Sequence, residues 1–395
     1  MGKNFFKLFS KDRLLCIFSR KDEDKETLNI ERIEQNNTHL LPFELRQKLT
    51  SENLSDWVFS RVTPIGRKLF KAAGGDPDDP LYKVEVTRLL SLNDAFWVDS
   101  ADTDARWENI NLYENDFSPE LGAMIFSSSV KRGIEMRYRT PEIASSKGNL
   151  RKCWIIRNGK RVLLKADRET KMFPGRNQIT SEWLACQVAK AFGIPHIDYG
   201  LEMFRHRNGR QELVCSCELF TSEQEGYIES HKIVDANPRK IAGQKAIAGA
   251  LDFDAYADMM IFDALIGNGD RHMGNFGSMF DTNTGELSRM APIFDNGLSL
   301  LAGCQDEEAE DFSLWDDNRS GAFISFELAI KTFFRPRHEE KLARMENFIF
   351  PDNEFIPCEM SERIGAFVRH RARYLLEQKQ QNTHSFFEKA SKEQD

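Results

Sequence analysis

The sequence predicts an α+β chain in two lobes, a small β-rich lobe followed by a larger helical one, with a mainly helical accessory region ahead of both. Three observations carry that prediction. First, residues 153–166, CWIIRNGKRVLLKA, place two apolar runs around Asn158-Gly159. That dipeptide suits a two-residue hairpin turn, whose central residues take positive φ. Second, SEWLACQVAKAFGI (181–194) has the spacing of an amphipathic helix, and QELVCSCELF (211–220) reads as a further strand. Third, helical spacing dominates from 221 onward, interrupted by a short β-rich stretch near 272–301.

Taken in order, the opening MGKNFFKLFSKDRLLCIFSRKDED is basic, with charges every few residues and no continuous apolar run. It reads as a surface leader, with an amphipathic anchor as the alternative, and not as a secretory signal. Phe6 stands where a myristoylation signal needs Ser or Thr. LLPFELRQKLTSENLSDWVFSRV (40–62) predicts helix with Thr50 or Ser51 as cap, and GGDPDDP (74–80) predicts a loop. The helix over 181–194 is expected to open at Thr180 or Ser181 and close at Gly193. These readings divide the chain into an accessory region (1–120), a β-rich lobe (121–220), a helical lobe (221–385) and a polar, frayed tail (386–395).

Composition narrows the function classes. Apolar residues make up 41% of the 395 positions and charged residues 29%, enough apolar surface to build a core and to exclude global disorder. Thirty Phe against seven Tyr and six Trp suit packed cores more than a stacking surface. Asp and Glu total 62 against 54 Lys and Arg, a net charge of −8. That argues against a dedicated nucleic-acid binder, whose affinity rests on neutralising phosphates. No window approaches the roughly 18 uninterrupted apolar residues of a membrane span. Seven scattered Cys with no CxxC pair predict a reducing, cytoplasmic setting and no structural zinc, with Cys215 and Cys217 as buried strand thiols.

The densest chemistry lies in DALIGNGDRHMGNFGSMFDTNTGELSRMAPIFDNGLSL (263–300). Asp270 is followed five residues later by Asn275 and, after a hairpin, by Asp295. Phosphoryl transfer needs one group to orient or deprotonate the attacking hydroxyl and others to hold Mg²⁺ against the phosphates. An Asp and an Asn on a Gly-rich loop, with a second Asp returned beside them, supply both. A small β-rich lobe with one helix, ahead of a helical lobe, is also the outline of a protein-kinase-like fold.

Asp270-Arg-His-x-x-Asn275, followed by Pro292-Ile-Phe-Asp295-Asn-Gly297, resembles the catalytic and metal-binding segments of the high-persistence toxin kinase (HipA) family of bacterial Ser/Thr protein kinases. The Asp-Arg-His order is shared with lipid kinases of the phosphoinositide type and reverses that of eukaryotic protein kinases. The resemblance implies Asp270 as catalytic base, Asn275 and Asp295 as Mg²⁺ ligands, and structural roles in the loop for Arg271 and His272.

The same resemblance organises an ATP site. Ser145-Ser146-Lys-Gly148-Asn-Leu-Arg-Lys152 matches the family's Ser-x-x-Gly-x-x-x-Lys phosphate loop. Gly148 would permit close backbone approach and Lys152 would add charge. The family's autophosphorylation would fall on Ser145, with Ser146 equally reachable. Lys165 ends the apolar run Val162-Leu163-Leu164, where a lysine is costly to bury unless it meets an anion. The expected anions are the ATP phosphates, with Glu182 fixing the lysine. Glu218, Leu219 and Phe220 stand where the family's nucleotide-contacting hinge lies.

Gln305–Asp317 carries seven acids and no base. It reads as a mobile solvated loop, or as a selector of basic substrate segments. The expected activity is an ATP- and Mg²⁺-dependent Ser/Thr protein kinase acting on a protein acceptor, with an antitoxin partner implied by the family. A small-molecule or phosphoinositide-type lipid kinase is the alternative, disfavoured by acids where a membrane-facing surface would be basic. A degenerate, non-catalytic kinase fold is a third reading. The presence of Lys165, Asp270, Asn275 and Asp295 together argues against it.

Overall fold

The computed structural model describes residues 3–21, 27–61, 84, 87–117, 126, 150–167, 178–206, 208–302, 304, 310–316 and 323–392. They form a mixed α/β protein with three antiparallel sheets.

The first sheet overturns the expectation of a mainly helical first 120 residues. Strands β1 (Lys3–Ser10), β2 (Arg13–Lys21), β3 (Leu28–Ile33) and β4 (Phe96–Ser100) lie in the order β3-β2-β1-β4. The segment read as a leader or anchor is therefore a hairpin, turning at Lys11, whose φ is +50°. The charges between its apolar residues fit a two-residue period. Phe6, Leu8 and Ser10 are buried while Phe5 is exposed and Lys7 half-buried, the alternation of a strand with one face on a core. That core is closed by the short helix α1 (Phe43–Arg46) and by α2 (Ser51–Ser60), which buries Leu54, Trp57 and Val58. Thr50 caps α2 as expected, accepting from Asn53 N–H at 3.2 Å. The opposite face stacks Phe9 on Trp97 near the one-turn helix α3 (Trp107–Ile110). The loop expected at 74–80 lies outside the described residues.

The second sheet has the order β5-β6-β8-β7: β5 (Arg151–Arg157), β6 (Lys160–Ala166), β7 (Gly200–Arg205) and β8 (Gln211–Glu218). Asn158 and Gly159 turn the β5–β6 hairpin with φ of +52° and +76°, the geometry expected of Asn-Gly. Helix α4 (Gln178–Phe192) packs on this sheet through Ile179 and Cys186, against Cys215 and Cys217. It ends at Gly193, whose φ is +77°, as expected. Thr180 and Ser181 do not cap it. Both are buried within its first turn, and Asp167 Oδ1 accepts from Gln178 N–H at 3.1 Å.

The third sheet, β11-β10-β9, joins β9 (Glu225–Glu229) to the hairpin β10 (Gly277–Asp281) and β11 (Leu287–Met290). Strand β9 departs from the helical reading of residues beyond 221, because five residues are too few to show a period. Its Ile228 and Phe280 of β10 bury into the core of the first sheet. Tyr227 N–H bonds to the Asn93 carbonyl at 2.7 Å.

The helical body comprises α5 (Ile241–Leu251), α6 (Phe253–Ile266), α7 (Phe326–Phe333), α8 (Pro336–Met345) and α9 (Cys358–Lys392). Helix α6 is buried all round, from Met259 to Ile266 without a break, as the central helix of a body must be. Helix α9 continues to Lys392, through most of the stretch expected to be a frayed tail. The acidic run is also partly corrected. Its residues 310–316 include a 3-10 turn (Phe312–Trp315) with Trp315 buried, and Asp316 is paired to His370 and Arg371. A buried indole and a buried arginine hold this part in place. Residues 305–309 and 317 lie outside the described residues. Among the described residues, no helix is long and apolar enough to cross a membrane.

Candidate functional site

The hairpin register makes Lys152 of β5 and Lys165 of β6 direct cross-strand partners. Side chains opposite each other in an antiparallel pair project from the same face, so two cations stand side by side. Both are buried, at 7% and 3% exposure. Like charges so placed are unfavourable unless anions face them. Two carboxylates do. Lys165 Nζ lies 2.5 Å from Glu182 Oε1 and 3.3 Å from Asp295 Oδ1. It also donates to Tyr199 Oη at 3.1 Å.

Each anion arrives for a local reason. Glu182 projects from the first turns of α4 and is fully buried; its second oxygen accepts from Asn296 N–H at 2.9 Å. Asp295 sits at φ +60°, a left-handed conformation that Asp tolerates better than most residues. Burial opposes the charge on Lys165, but Glu182, Tyr199 and Asp295 outweigh it and hold the ammonium well above the ordinary lysine range. Burial likewise opposes the Asp295 charge, and Lys165, Lys152 and Arg271 overcome it, so the carboxyl titrates well below its usual range. Burial pulls Lys152 below the lysine range, with Asp295 opposing.

The Asp270 loop is built on the end of α6. Gly267 closes that helix at φ +65°, and a Cβ there would come within 2.8 Å of the Trp315 ring. Asp263, in the last turn, accepts from Arg271 through both oxygens, at 2.9 and 3.0 Å, and from Asn268 Nδ2 at 3.1 Å. Arg271 also donates to the carbonyls of Asn275, at 3.2 Å, and Phe294, at 2.7 Å, and to Asn296 Oδ1 at 2.5 Å. His272 Nδ1 accepts from Gly274 N–H at 3.1 Å. Arg271 and His272 thus hold the loop together, in keeping with the structural roles expected of them. Asn275 is buried and donates from Nδ2 to the Asp270 carbonyl at 3.2 Å, so that its Oδ1 could serve a cation as an oxygen donor. Asp270 itself is exposed.

These groups border a cleft of about 200 Å³ whose walls include Lys152, Lys165, Tyr199, Asn275 and Asp295. Glu218, Leu219 and Phe220 line it too, with the Phe220 ring stacked on Phe294 at 5.6 Å between centroids. The Glu218 carboxylate turns away to Lys160 at 2.7 Å, and Leu219 N–H is taken by the Arg161 carbonyl at 2.9 Å. Of these three residues, Phe220 supplies the ring that packs into the site.

Lys152, Lys165, Glu182, Asn275, Asp295 and the 218–220 segment therefore converge, and Asp270 stands near them, outside the cleft lining. Ser145, Ser146 and Gly148 lie outside the described residues. Sequence reasoning missed Tyr199, Asn296 and Asp263. Asp263 carried a readable signal: an acid inside the apolar run 259–266 is a buried charge that demands a cation. Tyr199 and Asn296 carried none, because Lys165 lies 34 positions from Tyr199 and Glu182 lies 114 from Asn296.

No protein-family model matches the chain. Over 145 residues it is 26% identical to the serine/threonine-protein kinase CtkA of Helicobacter pylori, a match covering 33% of this chain and 43% of that protein, less than half the relative's length. Its fold is like that of a chain from the Shewanella oneidensis MR-1 toxin–antitoxin complex of HipA, HipB and operator DNA. There the TM-score is 0.52 at 13% identity, covering 94% of this chain and 96% of that one. Such coverage takes in most of the first 120 residues. The crystal structure of CtkA superposes more loosely, with a TM-score of 0.43 at 18% identity over 61% of this chain and 93% of that one. The likeness to HipA-like Ser/Thr kinases drawn from the motifs is met by both comparisons, CtkA in sequence and HipA in fold.

Proposed function

We propose that this chain is an ATP- and Mg²⁺-dependent serine/threonine protein kinase of HipA type, with nucleotide bound between a β-rich and a helical lobe. The observation that supports it most is the pair of buried cross-strand lysines on the cleft wall, with Glu182 and Asp295 directly against Lys165. A site with this charge pattern is suited to the phosphates of a nucleotide.

In this reading Lys165, oriented by Glu182 and Tyr199, holds the phosphates, and Lys152 adds charge beside it. Phe220 packs against the base and the 218–220 backbone meets its edge. Asn275 and Asp295 offer hard oxygen donors, the set that Mg²⁺ prefers. Bound there, Mg²⁺ would tie the phosphates to the protein and neutralise their charge. Asp270, exposed at the rim, orients an incoming Ser or Thr hydroxyl and takes its proton. The hydroxyl oxygen bonds to the γ-phosphorus as the bond to the β–γ bridging oxygen breaks, and ADP leaves. Catalysis is then mainly positioning and charge neutralisation.

The HipA likeness further supports a partner of antitoxin type and self-phosphorylation at Ser145 or Ser146. Mass spectrometry of the 140–152 segment after incubation with Mg-ATP, wild type against Asp270→Asn, tests the latter. For the activity itself, pure protein is incubated with labelled ATP and cell lysate. Label transfer by wild type and none by Asp270→Asn is expected; equal transfer by both would refute the assignment.

A further inference from the structure

Next to the residues that hold Lys165, three residues that the reading above leaves unused come together. Cys186 lies on α4, one turn beyond Glu182, while His196 and Asp198 follow in the segment leading to Tyr199 and β7. One ligand atom from each lies within 4.8 Å of the others. Cys186 Sγ is 3.8 Å from Asp198 Oδ1, and His196 Nε2 is 3.4 Å from the same oxygen.

The imidazole is arranged as a ligand. Its Nδ1 lies 2.8 Å from the Ile194 carbonyl, which can only accept, so Nδ1 carries the hydrogen. In the neutral ring Nε2 then bears the lone pair. That atom is buried and has no hydrogen-bond partner, an unusual cost for a polar nitrogen. A metal-bound histidine characteristically donates its other ring N–H to a carbonyl in this way.

We propose that Cys186, His196 and Asp198 bind a zinc ion. One sulfur, one imidazole nitrogen and one carboxylate oxygen form a donor set that suits Zn²⁺ better than Mg²⁺ or Ca²⁺. The Asp198 side chain is 89% exposed, so solvent can complete a tetrahedral shell. The Cys186 thiol is pushed up to about 11, chiefly by burial, so the ion must displace its proton to bind the thiolate. The spacing Cys-x9-His-x-Asp escapes recognition in the sequence because it contains no CxxC pair.

The location gives the ion a structural consequence. It would fasten α4, which carries Glu182, to the segment ending in Tyr199. His196 also forms a parallel bridge with Ile293, two residues before Asp295. All three partners of Lys165 are thus one short step from the ion.

The test uses full-length protein stripped of metal, and it does not depend on kinase activity. Calorimetric titration with Zn²⁺ should give one ion per chain, and Co²⁺ in its place should give a thiolate-to-cobalt charge-transfer band. Cys186→Ser should abolish that band and weaken Zn²⁺ binding at least tenfold. His196→Ala should weaken binding equally, while Cys358→Ser, an exposed thiol elsewhere, should change neither. If Cys186→Ser fails to fold by circular dichroism, Asp198→Asn at its exposed position decides, with a tenfold loss expected. No binding by wild type, or unchanged affinity in the folded Cys186 or Asp198 variant, overturns the proposal.

Discussion

Arg271 Nη1 donates to the Phe294 carbonyl at 2.7 Å, so the residue after Asp270 grips the residue before Asp295. The same guanidinium is paired through both oxygens of Asp263 on α6. One buried side chain therefore sets the spacing between the two acids of the proposed active site. Arg271→Ala should leave Asp263 buried without its cation and cost about 3–5 kcal/mol of stability. Arg271→Lys should also be poor, since a point charge cannot reproduce the fork. Urea unfolding of the three proteins measures this; a loss below about 1 kcal/mol for Arg271→Ala would show that the guanidinium contributes little of what its contacts suggest.

Lys165→Ala should lower phosphotransfer by orders of magnitude, because the lysine is the centre to which Glu182, Tyr199 and Asp295 converge. Steady-state turnover with Mg-ATP is the measurement. A rate within about threefold of wild type, under 1 kcal/mol of transition-state stabilisation, would remove Lys165 from the phosphate site.

Asp295→Asn removes a negative oxygen while adding no bulk. Mg-ATP affinity by calorimetry should fall at least tenfold with the fold retained. If affinity and turnover both stay at the wild-type level, Asp295 is not a metal ligand.

Asp270→Asn should separate chemistry from binding. Asp270 is exposed and outside the cleft lining, so nucleotide affinity should remain within about twofold while turnover is lost. Equal losses in both would place Asp270 on the nucleotide and not on the acceptor hydroxyl.

Stability should also depend on acid through Asp258. Burial raises its proton affinity, but hydrogen bonds from His338, Lys341 and Arg337 outweigh that and hold the carboxyl well below the usual range. A carboxyl depressed in the folded state stabilises it above the unfolded value, about 3.9. That contribution is lost as pH falls toward the folded value. Melting temperature should therefore drop as pH is lowered below about 5, and the drop should be shallower in Asp258→Asn. Parallel curves for the two proteins would show that acid sensitivity arises elsewhere.

Local chemistry made part of this protein legible in its residues. Asn158-Gly159 dictated a hairpin because few other dipeptides take two positive φ angles cheaply. Helix α4 and its stop at Gly193 followed from spacing and one glycine. Lys165, Asp270, Asn275 and Asp295 could be singled out because a lysine ending an apolar strand, or an Asp and an Asn on a Gly-rich loop with a second Asp returned after it, are conspicuous where they stand. Glu182 was reached from its place at the opening of the next helix and from the family resemblance. The first sheet was less readable. Its alternation is short and crossed by charges, and only β4, brought back from residues 96–100 to pair with β1, completes the sheet to which those strands belong. Tyr199, Asn296 and the Cys186–His196–Asp198 cluster were invisible for a related reason. Their chemistry depends on which atoms meet across α4, the segment before β7 and the Asp295 loop. Tertiary packing alone decides that, because hydrogen bonds and ligand sets form between neighbours in space, whatever their separation along the chain.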